Sequence, residues 1–139
     1  SRKQTEHTVT VHHENELLLA RCDARLIIQV IINLVDNAIK YTPAGSHITI
    51  TRKQNEQHTE ISVADNGAGI PDSEKEKVFQ MFYSGSNPIA DCRRSLGLGL
   101  SLCKSIITAH GGEISVTDNA PAGTIFTFTI PSGEVEVHE

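Results

Sequence analysis

The chain has no tryptophan and only four phenylalanines and two tyrosines in 139 residues. Apolar residues make up 38% and charged residues 21%, ordinary values for one soluble globular domain long enough to bury a core. It has no surplus of positive charge. The formal net charge of -5 argues against nucleic acid, or an anionic membrane surface, as the main partner. No apolar stretch approaches the roughly 20 residues of a membrane-spanning helix. No signal peptide is visible, so this domain is expected to make no direct membrane contact. The three cysteines, Cys22, Cys92 and Cys103, are odd in number and show no CxxC spacing. They read as free thiols in a reducing compartment. The seven histidines form no ligand-like cluster. Internal repeats and low-complexity segments are absent. The first residue is Ser rather than Met, as expected of a piece of a longer protein.

The longest periodic segment runs over residues 24–42, DARLIIQVIINLVDNAIKYT with its preceding Asp23 as a candidate N-cap and Pro43 and Gly45 as the stop. At about 100° per residue, Leu26, Ile27, Val30, Ile31, Leu34, Val35 and Ala38 form one apolar face. Asn33 and Asn37 stack four apart, Asn37 half-buried at the edge of that face, with Lys40 and Tyr41 one turn on. Asparagine is a poor helix former, so two aligned mid-helix asparagines beside a core face point to function.

Strands are expected at residues 8–13, 16–20, 47–53 and 60–64, the last two forming an antiparallel hairpin with Ile48, Ile50, Ile61 and Val63 in phase. The turn 65–71 (DNGAGIP) follows, then a short helix capped by Asp72 or Ser73 and running to about Phe79. Residues 83–95 read as a candidate mobile loop, functional or disordered. A second amphipathic helix is expected over 100–110, stopped by Gly111 and Gly112. Strands at 113–117 and 124–130, joined by a turn over 119–123, end the domain at residue 131. Residues 132–139 form an acidic tail. Strands that are sequence neighbours, with helices between groups of them, favour an α+β two-layer sandwich over a doubly wound parallel sheet.

Gly97 and Gly99, at a loop-to-helix junction, could expose backbone N–H groups to phosphate; the plainer alternative is a simple junction. The stretch is neither a Walker A loop, lacking GK[ST], nor a Rossmann fingerprint, lacking a strand directly before it. Asp65, at a strand end, could accept a hydrogen bond from an exocyclic amine, selecting adenine over guanine, or could stabilise its own turn. The Asn37 side-chain oxygen suits Mg²⁺, a hard cation that prefers oxygen ligands. Lys40, Arg93 or Arg94 could offset phosphate charge, and Tyr41 could stack on a purine.

Five motifs in order resemble the GHKL (Bergerat-fold) ATP-binding domain of a sensor histidine kinase, over about residues 17–131 of a domain spanning 1–131. Asn33-Leu34-Val35-Asp36-Asn37-Ala38-Ile39-Lys40-Tyr41-Thr42 resembles the N box. Asp65-Asn66-Gly67-Ala68-Gly69-Ile70-Pro71 resembles the first glycine box, and Val78-Phe79-Gln80-Met81-Phe82-Tyr83 the F box. Gly97-Leu98-Gly99-Leu100-Ser101-Leu102 resembles the second glycine box. His110-Gly111-Gly112 with Gly123-Thr124-Ile125-Phe126 resembles the last strand pair. The run SLGLGLSL is similar to that of potassium-responsive (KdpD-type) sensor kinases.

The resemblance implies a two-layer α/β sandwich with a mixed, mainly antiparallel sheet and helices on one face. It implies ATP and Mg²⁺ as cofactors, with Asn37 as metal ligand, Asn33 near metal and phosphates, and Lys40 on phosphate. Tyr41, Asp65, Gly67, Gly69, Ile70, Phe82 and Thr124 would belong to the adenine end. Leu96, Gly97, Leu98, Gly99 and Leu100 would face the phosphates, with Arg93 and Arg94 as lid cations. Two positions depart from the pattern: Ser95 stands where the second glycine box usually starts with Gly, and Ser84 where an Arg often follows the F box.

ATP-hydrolysing relatives commonly carry Glu at the position of Asn33; an amide cannot activate water, which favours phosphoryl transfer. The phosphoacceptor motif is missing, since His13-Glu14 continues as Asn15-Glu16. The partners implied are the dimerisation and phosphoacceptor domain of the same kinase and a response regulator. The location implied is a cytoplasmic domain of a membrane-bound sensor. The alternatives are a stand-alone serine kinase of the anti-sigma type and a degenerate module that only binds protein.

Overall fold

The structure, a computed structural model, describes residues 8–13, 24–80 and 94–131. The expectations for Asp23, strand 16–20, Met81, Phe82, Arg93 and the tail 132–139 lie outside the described residues. Element order is β1 (Thr8–His13), α1 (Ala24–Tyr41), β2 (His47–Gln54), β3 (His58–Asp65), α2 (Asp72–Lys75), α3 (Arg94–Ala109), β4 (Glu113–Asp118) and β5 (Thr124–Pro131). The five strands form one sheet in the order β1-β2-β3-β5-β4. Only β1 and β2 run parallel; the other three pairs are antiparallel. The expected hairpin is present as β2 and β3, with Ile50 opposite Val63.

Alternation decides which strand residues face the helices. On β3, Thr59, Ile61, Val63 and Asp65 are buried; on β5, Thr124, Phe126, Phe128 and Ile130 are. The helices supply Ile27, Val30, Leu34 and Ala38 from α1, and Leu100, Cys103, Ile106 and Ile107 from α3. These spacings of three and four place one face of each helix on the sheet. The α1 helix packs against β2, β3 and α3, and α3 also packs against β4 and β5. Leu26 departs from the expected face and is exposed, as are Ile28 and Ile32.

The α3 helix ends in a Schellman motif. The Gly112 N–H donates to the Ile107 carbonyl and the Gly111 N–H to the Thr108 carbonyl, both at 2.9 Å, with Gly111 at φ 80°. Gly112 then runs so close to β5 that a Cβ there would lie 1.7 Å from the Thr129 oxygen.

Two expectations need correction. The second helix starts at Arg94, not at residue 100, so Gly97 and Gly99 lie inside it, as does the end of the expected 83–95 loop. Leucines alternating with the glycines carry the helical ladder back through them, at the propensity cost that glycine imposes. The short helix has Pro71 at its N-cap with no side-chain cap bond, and regular helix stops at Lys75. Proline lacks a polar side chain but suits the backbone at a helix start. Asp72 is left to pair with Lys75 instead.

Candidate functional site

Asp65 is the last residue of β3 and Thr124 the first of β5, both facing the helices at the same end of the sheet. Ala64 pairs with Ile125, so Asp65 and Thr124 come side by side. Both are buried, and Asp65 is 7% exposed. Its Oδ1 accepts from the Gly67 N–H at 2.9 Å and the Thr124 N–H at 3.3 Å. Its Oδ2 takes part in none of the hydrogen bonds among the described residues. Burial pushes the Asp65 carboxyl above its usual range, and the Gly67 and Thr124 amides only partly offset that. A carboxylate oxygen at a strand end without a protein donor is an acceptor that a ligand N–H could meet.

The turn after Asp65 is held from both sides. The Asn119 Nδ2 donates to the Asp65 carbonyl at 2.7 Å, and the Asn119 N–H donates to the Gly123 carbonyl at 3.0 Å. Gly123 sits at φ 117°, and a Cβ there would be 1.9 Å from the Asp65 oxygen. The Asn66 Oδ1 accepts from the His47 N–H at 2.8 Å, fixing the turn to the start of β2. On the helix side a Cβ at Gly67 would stand 2.6 Å from the Thr42 methyl, so only glycine allows this approach. Thr42 is itself pinned, its hydroxyl donating to the Ala38 carbonyl at 2.6 Å. Ile70 is half-buried against the core.

The middle of α1, at Asn33, faces the second glycine motif. A Cβ on Gly99 would lie 3.9 Å from the Asn33 side chain. The Asn33 Oδ1 accepts from the Gln29 Nε2 at 3.1 Å. The adjacent Cys103 is fully buried and its thiol is pushed up to about 11, by burial against a smaller opposing bond from Asn33. Helix α1 and the residue that follows it therefore run between the two glycine motifs: Asn33 lies beside Gly99, and Thr42 against Gly67. At 1.5 Å per residue the two contacts are about 13 Å apart along the axis.

Asn37 lies between them. It is 8% exposed, and its Oδ1 has no hydrogen-bond partner among the described residues. A buried orphan carbonyl costs about 1–3 kcal/mol. A hard cation would satisfy it, so the residue fits Mg²⁺. Groups of three or more His, Cys, Asp or Glu that could hold a metal ion are absent among the described residues.

Lys40 is exposed and paired with Asp36 at 3.2 Å. Tyr41 is 41% exposed. The backbones of Arg94, Leu96, Gly97 and Leu98 are helical. In a helix that starts at Arg94, the amides of Leu98, Gly99 and Leu100 already serve the i→i−4 ladder. Phe82 and Arg93 lie outside the described residues. The structure thus gathers Asp65, Gly67, Gly69, Ile70 and Thr124 at one end, and Asn33 and Gly99 at the other, with Asn37 between.

Two residues were missed by sequence reasoning. Asn119 reads as an ordinary turn residue. Lys75 carries no signal of its own in the sequence, yet its side chain is only 16% exposed and binds Asp118 at 2.9 Å, the Ile70 carbonyl at 2.9 Å, and Asp72. Only the sheet topology, which brings β4 beside the 65–71 turn, could have revealed either.

Residues 22–134 match the family described as histidine kinase-, DNA gyrase B-, and HSP90-like ATPase. The sensor protein KdpD of Clostridium acetobutylicum is 39% identical over 125 residues, 90% of this chain and 14% of that protein. The adaptive-response sensory kinase SasA of a Synechocystis strain is 42% identical over 125 residues, 89% of this chain and 32% of that protein. The chain therefore spans less than a third of the length of either relative. Among solved structures, the catalytic domain of histidine kinase ThkA superposes with a TM-score of 0.78 at 35% identity, over 93% of this chain and 82% of that one. The mycobacterial sensor histidine kinase MprB gives 0.79 at 28% identity, over 94% and 87%. ThkA has also been solved in complex with a response regulator protein, TrrA. Among the described residues no helix is long and apolar enough to cross a membrane.

Proposed function

Because the chain belongs to the histidine kinase-, DNA gyrase B-, and HSP90-like ATPase family, within which it is similar to histidine kinase catalytic domains and shares their ATP-binding fold, we propose that it places Mg-ATP for phosphoryl transfer to a histidine on a separate dimerisation domain. The orphaned Asn37 Oδ1 between the two glycine motifs carries this reading.

The Asp65 Oδ2 accepts a hydrogen bond from the adenine amino group, with Gly67, Gly69, Ile70 and Thr124 shaping the base pocket and Tyr41 and Phe82 bordering it. A guanine carbonyl at that place would meet a carboxylate, acceptor against acceptor. Asn37 would hold Mg²⁺, which when bound neutralises phosphate charge. Asn33, Lys40, Arg93 and Arg94 face the triphosphate. Leu96 to Leu100 lie at the phosphate end, where the first turn of α3 presents its N-terminal dipole. Contact by the Gly99 and Leu100 amides requires that turn to open.

The transferred phosphoryl group leaves the ADP oxygen and bonds to an imidazole nitrogen of the acceptor. Placement and charge neutralisation, not a covalent intermediate on this chain, lower the barrier. Asn33 matters by what it withholds. Its amide, bonded to Gln29, cannot take a proton from water, so the terminal phosphate is kept for the histidine.

A membrane-bound parent with this domain on the cytoplasmic side rests on the resemblance of the sequence motifs alone. The response regulator is the downstream partner, a reading that rests on relatives named as sensor kinases and on the ThkA–TrrA complex. A stand-alone serine kinase is not favoured for the same reason.

The test is transfer in trans. This chain, γ-labelled ATP and the phosphoacceptor hairpin of the parent kinase should give acid-labile, base-stable label on the hairpin alone. Stoichiometric phosphohistidine on the isolated chain would contradict the reading.

A further inference from the structure

The 65–71 turn is gripped at both ends by two neighbouring residues at the close of β4. Asn119 holds the Asp65 carbonyl at one end. At the other, Lys75 donates to the Ile70 carbonyl at 2.9 Å and reaches Asp118 at 2.9 Å, with Asp72 as its third partner. An ammonium has three N–H donors, and here each has an acceptor.

A plain surface ion pair would be the simplest reading, because Asp72 and Asp118 are 90% and 69% exposed and such pairs contribute little. Lys75 differs in two respects. Its own side chain is 16% exposed, and one of its three bonds goes to a backbone carbonyl inside the base-binding turn. That carbonyl follows Gly69, whose Cβ position would be 3.2 Å from the Gly123 oxygen, so the turn has little room to drift. The Asp72 and Asp118 hydrogen bonds raise the Lys75 ammonium above its usual range and keep it charged.

We propose that Lys75, anchored on Asp118, is a positioning residue that fixes the Ile70 end of the adenine pocket to the sheet. It touches no nucleotide. It acts through Ile70, setting the pocket wall opposite Asp65, and the proposal rests on the reading of Asp65 and Ile70 as base-pocket residues. Losing it should weaken recognition of the base and leave the phosphate end alone.

The experiment is calorimetric titration of the whole chain with adenosine, ADP and Mg-ATP, for wild type, Lys75→Met and Asp118→Asn. Wild type should bind Mg-ATP; failure there would overturn the base-pocket reading itself, and this proposal with it. Given wild-type binding, Lys75→Met should weaken all three ligands by one common factor of about five, with the gain from Mg²⁺ unchanged. Asp118→Asn, which keeps shape but removes the charge, should weaken them by about threefold. A lowered unfolding midpoint with unchanged affinities would make Lys75 a purely structural residue and refute the proposal. A loss confined to ADP and ATP, sparing adenosine, would refute it as well. Should Lys75→Met fail to fold, Asp118→Asn decides alone: weaker adenosine binding supports the proposal, unchanged binding overturns it.

Discussion

Asp65→Asn should move stability and nucleotide binding in opposite directions. The substitution keeps Oδ1, and with it the bonds from the Gly67 and Thr124 amides at 2.9 and 3.3 Å. It replaces Oδ2 with an amide N–H₂ and removes a desolvated charge. In the free protein that removal should be stabilising, by about 1 kcal/mol at pH 7. The direction follows from the raised carboxyl. A group whose folded pKa lies above its unfolded value stabilises the fold fully below the unfolded pKa, and that contribution is lost as pH rises through the folded pKa. The stability difference between Asp65→Asn and wild type should therefore be small near pH 3.5 and grow in favour of the variant as pH climbs through the raised value. Taking the difference between the two proteins cancels other carboxyls, such as Asp72, whose pKa is lowered by its hydrogen bond to Lys75 and whose contribution is lost instead as pH falls.

With ATP the sign reverses. The amide donor now faces the adenine amino donor. A charge-assisted hydrogen bond worth about 1.5–3 kcal/mol is lost, and buried donors are left unpaired. About 3 kcal/mol in all is roughly a hundredfold in affinity. Urea unfolding across pH 3.5–8 and calorimetry with ATP and GTP measure both halves. Unchanged ATP affinity would refute the base-reading role. A variant less stable than wild type at pH 7 would refute the electrostatic reasoning, leaving Asp65 as a turn-stabilising residue.

Other substitutions probe the rest of the site. Asn37→Ala removes a buried oxygen that has no partner among the described residues, so relief of that orphan should offset the packing taken away and stability should fall by no more than about 1 kcal/mol. The same variant should lose the Mg²⁺-dependent gain in ATP affinity, measured by titration with and without the ion; retention of that gain would unseat Asn37 as ligand. Gly123→Ala forces a Cβ to within 1.9 Å of the Asp65 oxygen at φ 117°, and should cost at least about 3 kcal/mol in thermal unfolding. Cys103 is fully buried and its thiol is pushed up to about 11, so maleimide at pH 8 should leave it unmodified until denaturant is added, as peptide mass mapping would show.

The elements legible in the sequence were those with a strong period. The α1 helix over Ala24–Tyr41 and the β2–β3 hairpin follow directly from spacing. The burial of Asp65 was also implicit, because it continues the alternation of Ile61 and Val63. The start of α3 was not legible. Two glycines among leucines read as a break, yet in the fold the helix continues through both. The parallel pairing of β1 with β2 was hidden too, since register between strands separated by a helix leaves no local trace. Lys75 and Asn119 were invisible for the same reason: their partners lie 43 and 54 residues away, by subtraction from Asp118 and Asp65.

The central claim is a nucleotide site whose metal ligand is a neutral asparagine and whose base reader is a buried aspartate. The most direct test is titration of this chain with ATP in the presence and absence of Mg²⁺. One-to-one binding that tightens with Mg²⁺ is the expected result. No binding at millimolar ATP, or binding indifferent to the ion, would contradict the claim.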